Sequence, residues 1–248
     1  MNQFQNGILQ AFPAQNNFSK FEPVAAGTNG TLVAVILDES GSMQSCWDAT
    51  ISGFNEFVQG QRSAQGVGEA YLTLVKFDSP QITTVYENVH VTQVPPLNRE
   101  SYTPRGGTNL MDAIGNTMTR INGLLSGMTQ DQRPGVLVVI ITDGAENSSR
   151  QFGGEQIKHM VKQAETQGDW TFTFLGANVD AFAMGATFGM NLSNTASYDT
   201  SSIGATMDVL SKTTVNLRMA KSRGVSTEEL YASNAIYNLS DRAKMKGQ

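Results

Sequence analysis

Short apolar segments alternate with amphipathic segments along most of this chain, and this alternation restricts the fold more than any other feature. Thr31–Leu37, Gly135–Thr142 and Trp170–Gly176 have the composition of strands that are buried on both faces. Asp48–Arg62 and Leu110–Leu125 carry apolar residues at helical spacing. Strands that alternate with helices predict an α/β fold with a Rossmann-like, doubly wound and mostly parallel sheet covered by helices on both faces.

One connection is too short to hold a crossover helix. Glu69–Phe77 and Gln81–Val91 are both predicted strands, and only the turn Asp78-Ser79-Pro80 separates them. Two strands joined so closely run antiparallel, so we expect a mixed sheet. Near the end of the chain, Thr227–Lys246 is predicted to form one further helix.

The chain divides into three parts. Residues 1–30 are rich in Asn, Gln, Gly and Ala and lack a helix or strand period, so we expect an N-terminal arm there. We assign residues 31–200 to the α/β domain and residues 201–248 to a C-terminal helical extension. The four phenylalanines of the arm could dock on the domain or on a second subunit, so an oligomer is one possibility, and a partly disordered tail is the alternative.

Several function classes are disfavoured by composition. The net charge of −5 argues against a general nucleic-acid binder. Cys46 is the single cysteine, so an internal disulfide is excluded. The sequence has neither a basic, apolar leader nor a long apolar segment, so we expect a soluble, cytoplasmic protein without a membrane span.

Oxygen-bearing side chains follow two of the predicted strands. Asp38, Ser40 and Ser42 come at alternate positions after the first strand, and Asp143 directly follows the strand that ends at Thr142. Sites in doubly wound sheets lie at the carboxyl ends of the strands. Between these two segments, a Gly-Gly pair permits a tight loop just before a predicted helix.

The side chains at these three points all offer oxygen, and none offers imidazole or thiolate. Hard divalent cations prefer such ligands, and two carboxylates roughly balance the charge of one ion. We therefore expect Mg²⁺ at the carboxyl ends of these strands, with Mn²⁺ or Ca²⁺ as alternatives. The candidate ligands are Asp38, Ser40, Ser42, Thr108 and Asp143.

The three motifs D38-x-S40-x-S42, GGT at 106–108 and TDG at 142–144 resemble the metal-ion-dependent adhesion site (MIDAS) of von Willebrand factor A domains. The resemblance covers residues 31–200. It implies a Rossmann-like sheet with one antiparallel edge strand. It also implies that Ser40, Ser42 and Thr108 ligate a metal through their hydroxyls, and that Asp38 and Asp143 ligate it directly or through water. Family members bind proteins whose Asp or Glu completes the metal shell.

Two longer segments, TDGAENSS and FLGANVDAFAMGATFGM (174–190), resemble many bacterial and phage chains of this kind. Neighbours of the ligands are harder to assign. We expect Glu39 to be a charge on the rim that points away from the metal. Asp112 either bonds to a ligand or metal water, or serves as a charge at a helix N-terminus. Trp47 belongs to the core or to a contact surface, and Arg105 either selects an acidic partner or is a solvated charge.

A metal-dependent protein–protein interaction module is the function that these features favour. The main alternative is a structural or assembly protein that uses the arm and the C-terminal helices. A Mg²⁺-dependent hydrolase is less favoured, because GxxxxGK[ST], GxGxxG and GxSxG are all missing. His90 and His159 also lack a visible nucleophile partner in the sequence, so we expect no enzymatic activity.

Overall fold

Six strands pair into one sheet in the order β3-β2-β1-β4-β5-β6. The computed structural model describes residues 30–168, 170–232 and 236–248. Only the β2–β3 pair is antiparallel, and β3 lies at the edge. The predicted mixed sheet is therefore confirmed. The strands are β1 (Thr31–Asp38), β2 (Ala70–Phe77), β3 (Ile82–His90), β4 (Gly135–Thr142), β5 (Trp170–Gly176) and β6 (Thr195–Ser197).

Helices cover both faces of this sheet, as the alternation predicted. Successive residues of β1 point to opposite faces. Val33 and Val35 belong to a core shared with α1 and α5, and Ala34 and Ile36 to a second core shared with α2 and α3. None of the described helices has the length and apolar character needed to cross a bilayer. The helices are α1 (Trp47–Ser63), α2 (Leu110–Leu125), α3 (Gly154–Gly168), α4 (Ala181–Thr187), α5 (Ile203–Ser222), α6 (Thr227–Ala232) and α7 (Leu239–Met245).

Helix α5 lies close against α1. A Cβ atom added to Gly53 would stand 2.7 Å from Cγ of Met207, so the glycine permits this close approach. The side-chain amide of Gln61 donates to the Ser211 carbonyl at 3.1 Å. Arg218 is buried and donates to the Gln61 carbonyl at 3.1 Å. These buried polar contacts attach α5 to the layer that covers one face of the sheet.

The prediction of one helix over Thr227–Lys246 is wrong. Helix α6 ends at Ala232, and α7 begins separately at Leu239. The Asn238 side chain accepts from the Asp241 N–H at 2.9 Å, and the Asp241 carboxylate accepts from the Asn238 N–H at 3.2 Å. This reciprocal cap satisfies backbone donors at a helix start, and helical periodicity alone does not distinguish it from a helix interior. The predicted arm, residues 1–30, lies outside the described residues except for Gly30.

Candidate metal centre

Side chains from two neighbouring strands meet at the carboxyl edge of the sheet. Strands β1 and β4 are parallel neighbours, with Leu37 opposite Ile141. The segments that follow them therefore leave the sheet side by side. The Ser42 hydroxyl donates to Oδ1 of Asp143 at 2.5 Å, and the Ser40 hydroxyl lies 3.1 Å from that of Ser42. The structure thus brings together three of the five predicted ligands.

Asp38 is fully buried. Its Oδ1 accepts from the Ser40 N–H at 2.7 Å, and its Oδ2 accepts from the Thr142 hydroxyl at 2.5 Å. The Tyr102 hydroxyl donates to the Asp38 carbonyl at 2.6 Å. Burial raises the pKa of Asp38 to about 6, and the charge of Asp143 acts in the same direction. The turn therefore holds Asp38 firmly although its ionised form is poorly solvated.

Thr108 reaches the same place from the loop before α2. A Cβ atom added to Gly144 would lie 3.1 Å from the Thr108 hydroxyl oxygen and 3.6 Å from that of Ser42. Both hydroxyls therefore flank Gly144, the residue after Asp143. Thr108 itself is buried. All five predicted ligands come together at one edge, Asp38 through its contacts with Ser40 and Thr142.

Asp143 offers an oxygen whose hydrogen-bonding capacity is not used. Its Oδ2 is buried and has no hydrogen-bond partner among the described residues. Burial also raises the pKa of Asp143. A buried carboxylate oxygen is costly unless it is paired or bound to a cation, so the donor set fits a hard divalent ion. In the part of the chain that the structure describes, no group of three or more His, Cys, Asp or Glu side chains could hold a metal ion, and the present cluster combines two carboxylates with hydroxyls instead.

The Gly-Gly loop joins the site to two neighbouring turns. The Gly41 N–H donates to the Gly106 carbonyl at 3.1 Å, and the Ser79 N–H donates to the Gly107 carbonyl at 2.9 Å. Gly106 has a φ of 66°. A Cβ atom added there would stand 2.1 Å from the Ser79 carbonyl oxygen. The loop that carries Thr108 therefore needs glycine at this position for both its conformation and its close contact.

Gly106→Ala is expected to destabilise the protein more than Gly66→Ala. Both glycines have positive φ, but a Cβ at Gly66 would have no atom within 4 Å. The left-handed conformation alone costs a non-glycine residue roughly 1–2 kcal/mol. Gly106→Ala adds a backbone clash to that cost. Urea denaturation of both variants measures the difference, and equal free energies of unfolding would contradict the close contact.

Glu39 differs from the prediction. It is buried and not an exposed rim charge. Its carboxylate pairs with the Lys76 ammonium at 2.8 Å and accepts from the Thr103 N–H. These contacts satisfy the buried Glu39 carboxylate, which therefore lies outside the ligand cluster. Arg105, a candidate for partner selection, is exposed and pairs with the buried Asp78 carboxylate at 2.7 Å.

Asp112 lies in the first turn of α2, as the second of the two alternatives expected, and it also binds a loop. Its carboxylate accepts three backbone N–H groups, from Arg150, Gln151 and Phe152, at 2.8, 2.8 and 2.9 Å. Its carboxylate therefore binds the backbone of a loop and not a metal-ligand side chain. Trp47 is half-buried, and its indole N–H donates to a backbone carbonyl at 2.7 Å.

Sequence reasoning missed Thr142 and Tyr102, which both contact Asp38. Thr142 belongs to the TDG motif, so its place beside a ligand was a usable signal. Tyr102 lies 64 residues from Asp38 in sequence, and no local pattern connects the two.

The fold and the site together define a doubly wound α/β domain with an oxygen-lined cluster at the carboxyl ends of its central strands. The sequence matches no protein-family model and no curated protein. A structure of proximal thread matrix protein 1 from the mussel byssus is 14% identical, with a TM-score of 0.53, and the match covers 78% of this chain and 48% of that chain. Another structure of that protein, with a zinc-occupied MIDAS motif, is 13% identical, with a TM-score of 0.52 and coverage of 78% and 48%.

The chain therefore shares the fold of this mussel protein, and its six-stranded, mostly parallel sheet is consistent with the von Willebrand factor A fold. It spans about half the length of the mussel protein that it matches, with 48% of that chain covered. At 13–14% identity the likeness is one of fold, and the function of this chain has to be argued from its own residues.

Proposed function

We propose that this chain is a metal-dependent protein-binding module and not an enzyme. The observation that carries the proposal is the Oδ2 of Asp143, which is buried beside a cluster of hydroxyl oxygens and has no hydrogen-bond partner among the described residues. Mg²⁺ is the proposed cation, with Mn²⁺ or Ca²⁺ as alternatives. The mussel neighbour with a zinc-occupied MIDAS motif supports a divalent cation on this fold.

The proposed ligands divide by chemistry. Ser40, Ser42 and Thr108 would supply neutral hydroxyl oxygens, and Asp38 and Asp143 would supply charge, directly or through water. Two carboxylates neutralise a divalent ion without giving it a negative surplus. The bound ion is then the largest local charge in the site and attracts a further anionic oxygen. When bound, the cation would supply this attraction, and the residues around it would determine which partner can bind.

The open side of the site lies over Ser42. This residue is exposed, whereas Asp38, Ser40, Thr108 and Asp143 are all buried. A partner therefore approaches across the metal turn and the glycine loop. Arg105, next to this loop, is an exposed cation that pairs with Asp78. Five further exposed residues on that side are uncharged and add no repulsion against an incoming Asp or Glu side chain. They are Gly41, Gln44, Ser45, Gly106 and Ala145.

Affinity capture from the native source tests the proposed binding. A partner should be retained in buffer with Mg²⁺ and lost in buffer with EDTA at the same ionic strength. An Asp143→Ala bait serves as the matched negative control. A partner retained equally in EDTA, or by the variant, would rule out binding through the metal.

Added Mg²⁺ or Mn²⁺ is also expected to raise the melting temperature. A ligand that binds only the folded state stabilises it by about 2.7 kcal/mol at 100 times its Kd. For a chain of this size we expect a rise of several degrees, since each kcal/mol shifts the midpoint by roughly 2–4 °C. Differential scanning calorimetry over a metal titration measures it, with NaCl of equal ionic strength as control. A flat response at millimolar metal would contradict an intact site.

A further inference from the structure

The segment after Asp143 is bonded to the residues that carry Thr108. The Asn147 side-chain oxygen accepts from the Thr108 N–H at 2.9 Å. In return, the Thr108 carbonyl accepts from the backbone N–H groups of Asn147 and Ser148 at 3.0 and 3.2 Å. Thr108 is therefore held on both its N–H and its carbonyl by one neighbouring loop. Asn147 lies only four positions after Asp143 along the chain.

Glu146 ties the same loop to the start of α2. Its Oε2 accepts from the Met111 N–H at 2.8 Å, and its Oε1 accepts from the N–H groups of Ser148 and Ser149 at 2.8 and 2.7 Å. The first N–H groups of a helix have no partner within the helix, and a carboxylate there also suits the helix dipole. Glu146 therefore serves as a cap supplied by another part of the chain.

Asp112 completes the arrangement from the helix side. Its carboxylate binds the three N–H groups at positions 150–152, so α2 and the loop each place a carboxylate on the backbone of the other. We call Asp112, Glu146 and Asn147 the loop clamp. A Cβ atom added to Gly107 would lie 2.6 Å from the Ser148 hydroxyl and 2.9 Å from the Asn147 side-chain oxygen. Glycine at 107 is therefore needed for the clamp to close beside Thr108.

We propose that Asn147 is a positioning residue of the metal centre, which sets the Thr108 hydroxyl relative to Asp143. This inference rests on the proposed function, because it gives Asn147 a role in metal affinity. Thr108 and Asp143 come from different elements, and the clamp joins them through hydrogen bonds of ordinary length. Loss of the Asn147 acceptor leaves the Thr108 N–H unpaired and frees the loop to shift. Partners that orient metal ligands change affinity by about 10- to 100-fold when they are removed.

The test is isothermal titration of the full chain with Mn²⁺ alone. Asn147→Ala should weaken Mn²⁺ binding by at least about 10-fold. Gln151→Ala is the matched control, because it removes an exposed amide side chain from the same loop without touching Thr108. It should bind Mn²⁺ as the parent does. Circular dichroism and the melting temperature in EDTA show whether each variant is folded.

A double-mutant cycle separates positioning from general loosening of the fold. If Asn147 acts through Thr108, adding Asn147→Ala to Thr108→Ala should weaken Mn²⁺ binding little further. Additive losses would overturn the inference. Asn147→Asp retains an acceptor oxygen for the Thr108 N–H, so it should bind Mn²⁺ at least as tightly as the parent. Weakening equal to that of Asn147→Ala would also overturn it.

The two proposals fail in different ways. If the parent does not bind Mn²⁺, or if Thr108→Ala and Asp143→Ala bind it as well as the parent, the proposed function is wrong. If the parent binds Mn²⁺ and Thr108→Ala weakens it, but Asn147→Ala binds as the parent does, only the positioning role is wrong.

Discussion

Asp143→Ala is expected to abolish the stabilisation of this protein by Mg²⁺ or Mn²⁺. Asp143 supplies one of two carboxylates in the site, and its Oδ2 has no other hydrogen-bond partner among the described residues. Without it, the cation keeps one carboxylate and a few neutral oxygens, a weak set for a hard divalent ion. The melting temperature of the variant should stay flat across a metal titration that raises that of the parent by several degrees.

In EDTA, the effect of the same substitution on stability should be reversed relative to its effect in the presence of metal. Burial raises the pKa of Asp143, so its ionised form is poorly solvated at neutral pH. Alanine removes that cost, and the exposed Ser42 can replace its lost acceptor with water. We therefore expect Asp143→Ala to be at least as stable as the parent without metal, and less stable than the parent with it. A general defect in folding would lower both melting temperatures.

Asp48→Ala is the matched control for this reversal of relative stability between metal and EDTA. It removes one negative charge close to the metal turn, but Asp48 is exposed and pairs with the exposed Arg99. It should keep the metal response of the parent. A response lost equally in Asp48→Ala and Asp143→Ala would mean that net charge, and not coordination, governs the effect of the ion.

Local sequence patterns were sufficient for the central part of this fold. The run Gly135–Thr142 has no polar side chain before its last residue, and it forms β4 with those bounds. Because strands β1 and β4 are parallel, the residues that follow them leave the sheet at the same edge. The proximity of Ser42 and Asp143 thus followed from two strand assignments and one rule of topology.

Contacts that depend on packing between distant segments could not be predicted in the same way. Glu39 looked like a rim charge because its ion-pair partner, Lys76, lies on another strand. Asp112 looked like a helix-end charge, yet it binds a loop that lies 38–40 residues away. Periodicity reports which side of an element is apolar. It does not report which distant backbone groups will need an acceptor.

The contribution of Asp38 is expected to make the metal-free protein more stable at pH 5 than at pH 7.5. Burial raises the pKa of this carboxyl from 3.8 to about 6 in the folded state. A carboxyl with a raised folded pKa takes up a proton more readily in the folded than in the unfolded chain. Its stabilising effect is complete below pH 4 and is lost as the pH rises through 6. The effect over the whole titration is about 3 kcal/mol, since each pKa unit corresponds to about 1.4 kcal/mol, and roughly half of it falls between pH 5 and pH 7.5.

Asp38→Asn isolates this contribution. The amide retains an oxygen for the Ser40 N–H, and the Thr142 hydroxyl can donate to the Gly144 carbonyl, 3.1 Å away. In EDTA, the parent should lose stability relative to Asp38→Asn between pH 5 and pH 7.5. Urea denaturation at both pH values measures this difference, and titrating groups that do not interact with Asp38 contribute alike to both proteins. A constant difference across the range would contradict the raised pKa.

Saturating Mg²⁺ should reverse the pH dependence of the parent. A cation binds the ionised carboxylate, so protons compete with it, and the metal should stabilise more at pH 7.5 than at pH 5. Asp38→Asn has no proton to lose at this position, so its smaller response to metal should depend less on pH. In the proposed site, the burial that makes Asp38 costly without a cation would couple the fold to metal, because a bound ion would replace the solvation that the carboxylate lacks. A parent whose Mg²⁺ response is the same at both pH values would show that Asp38 does not face the ion.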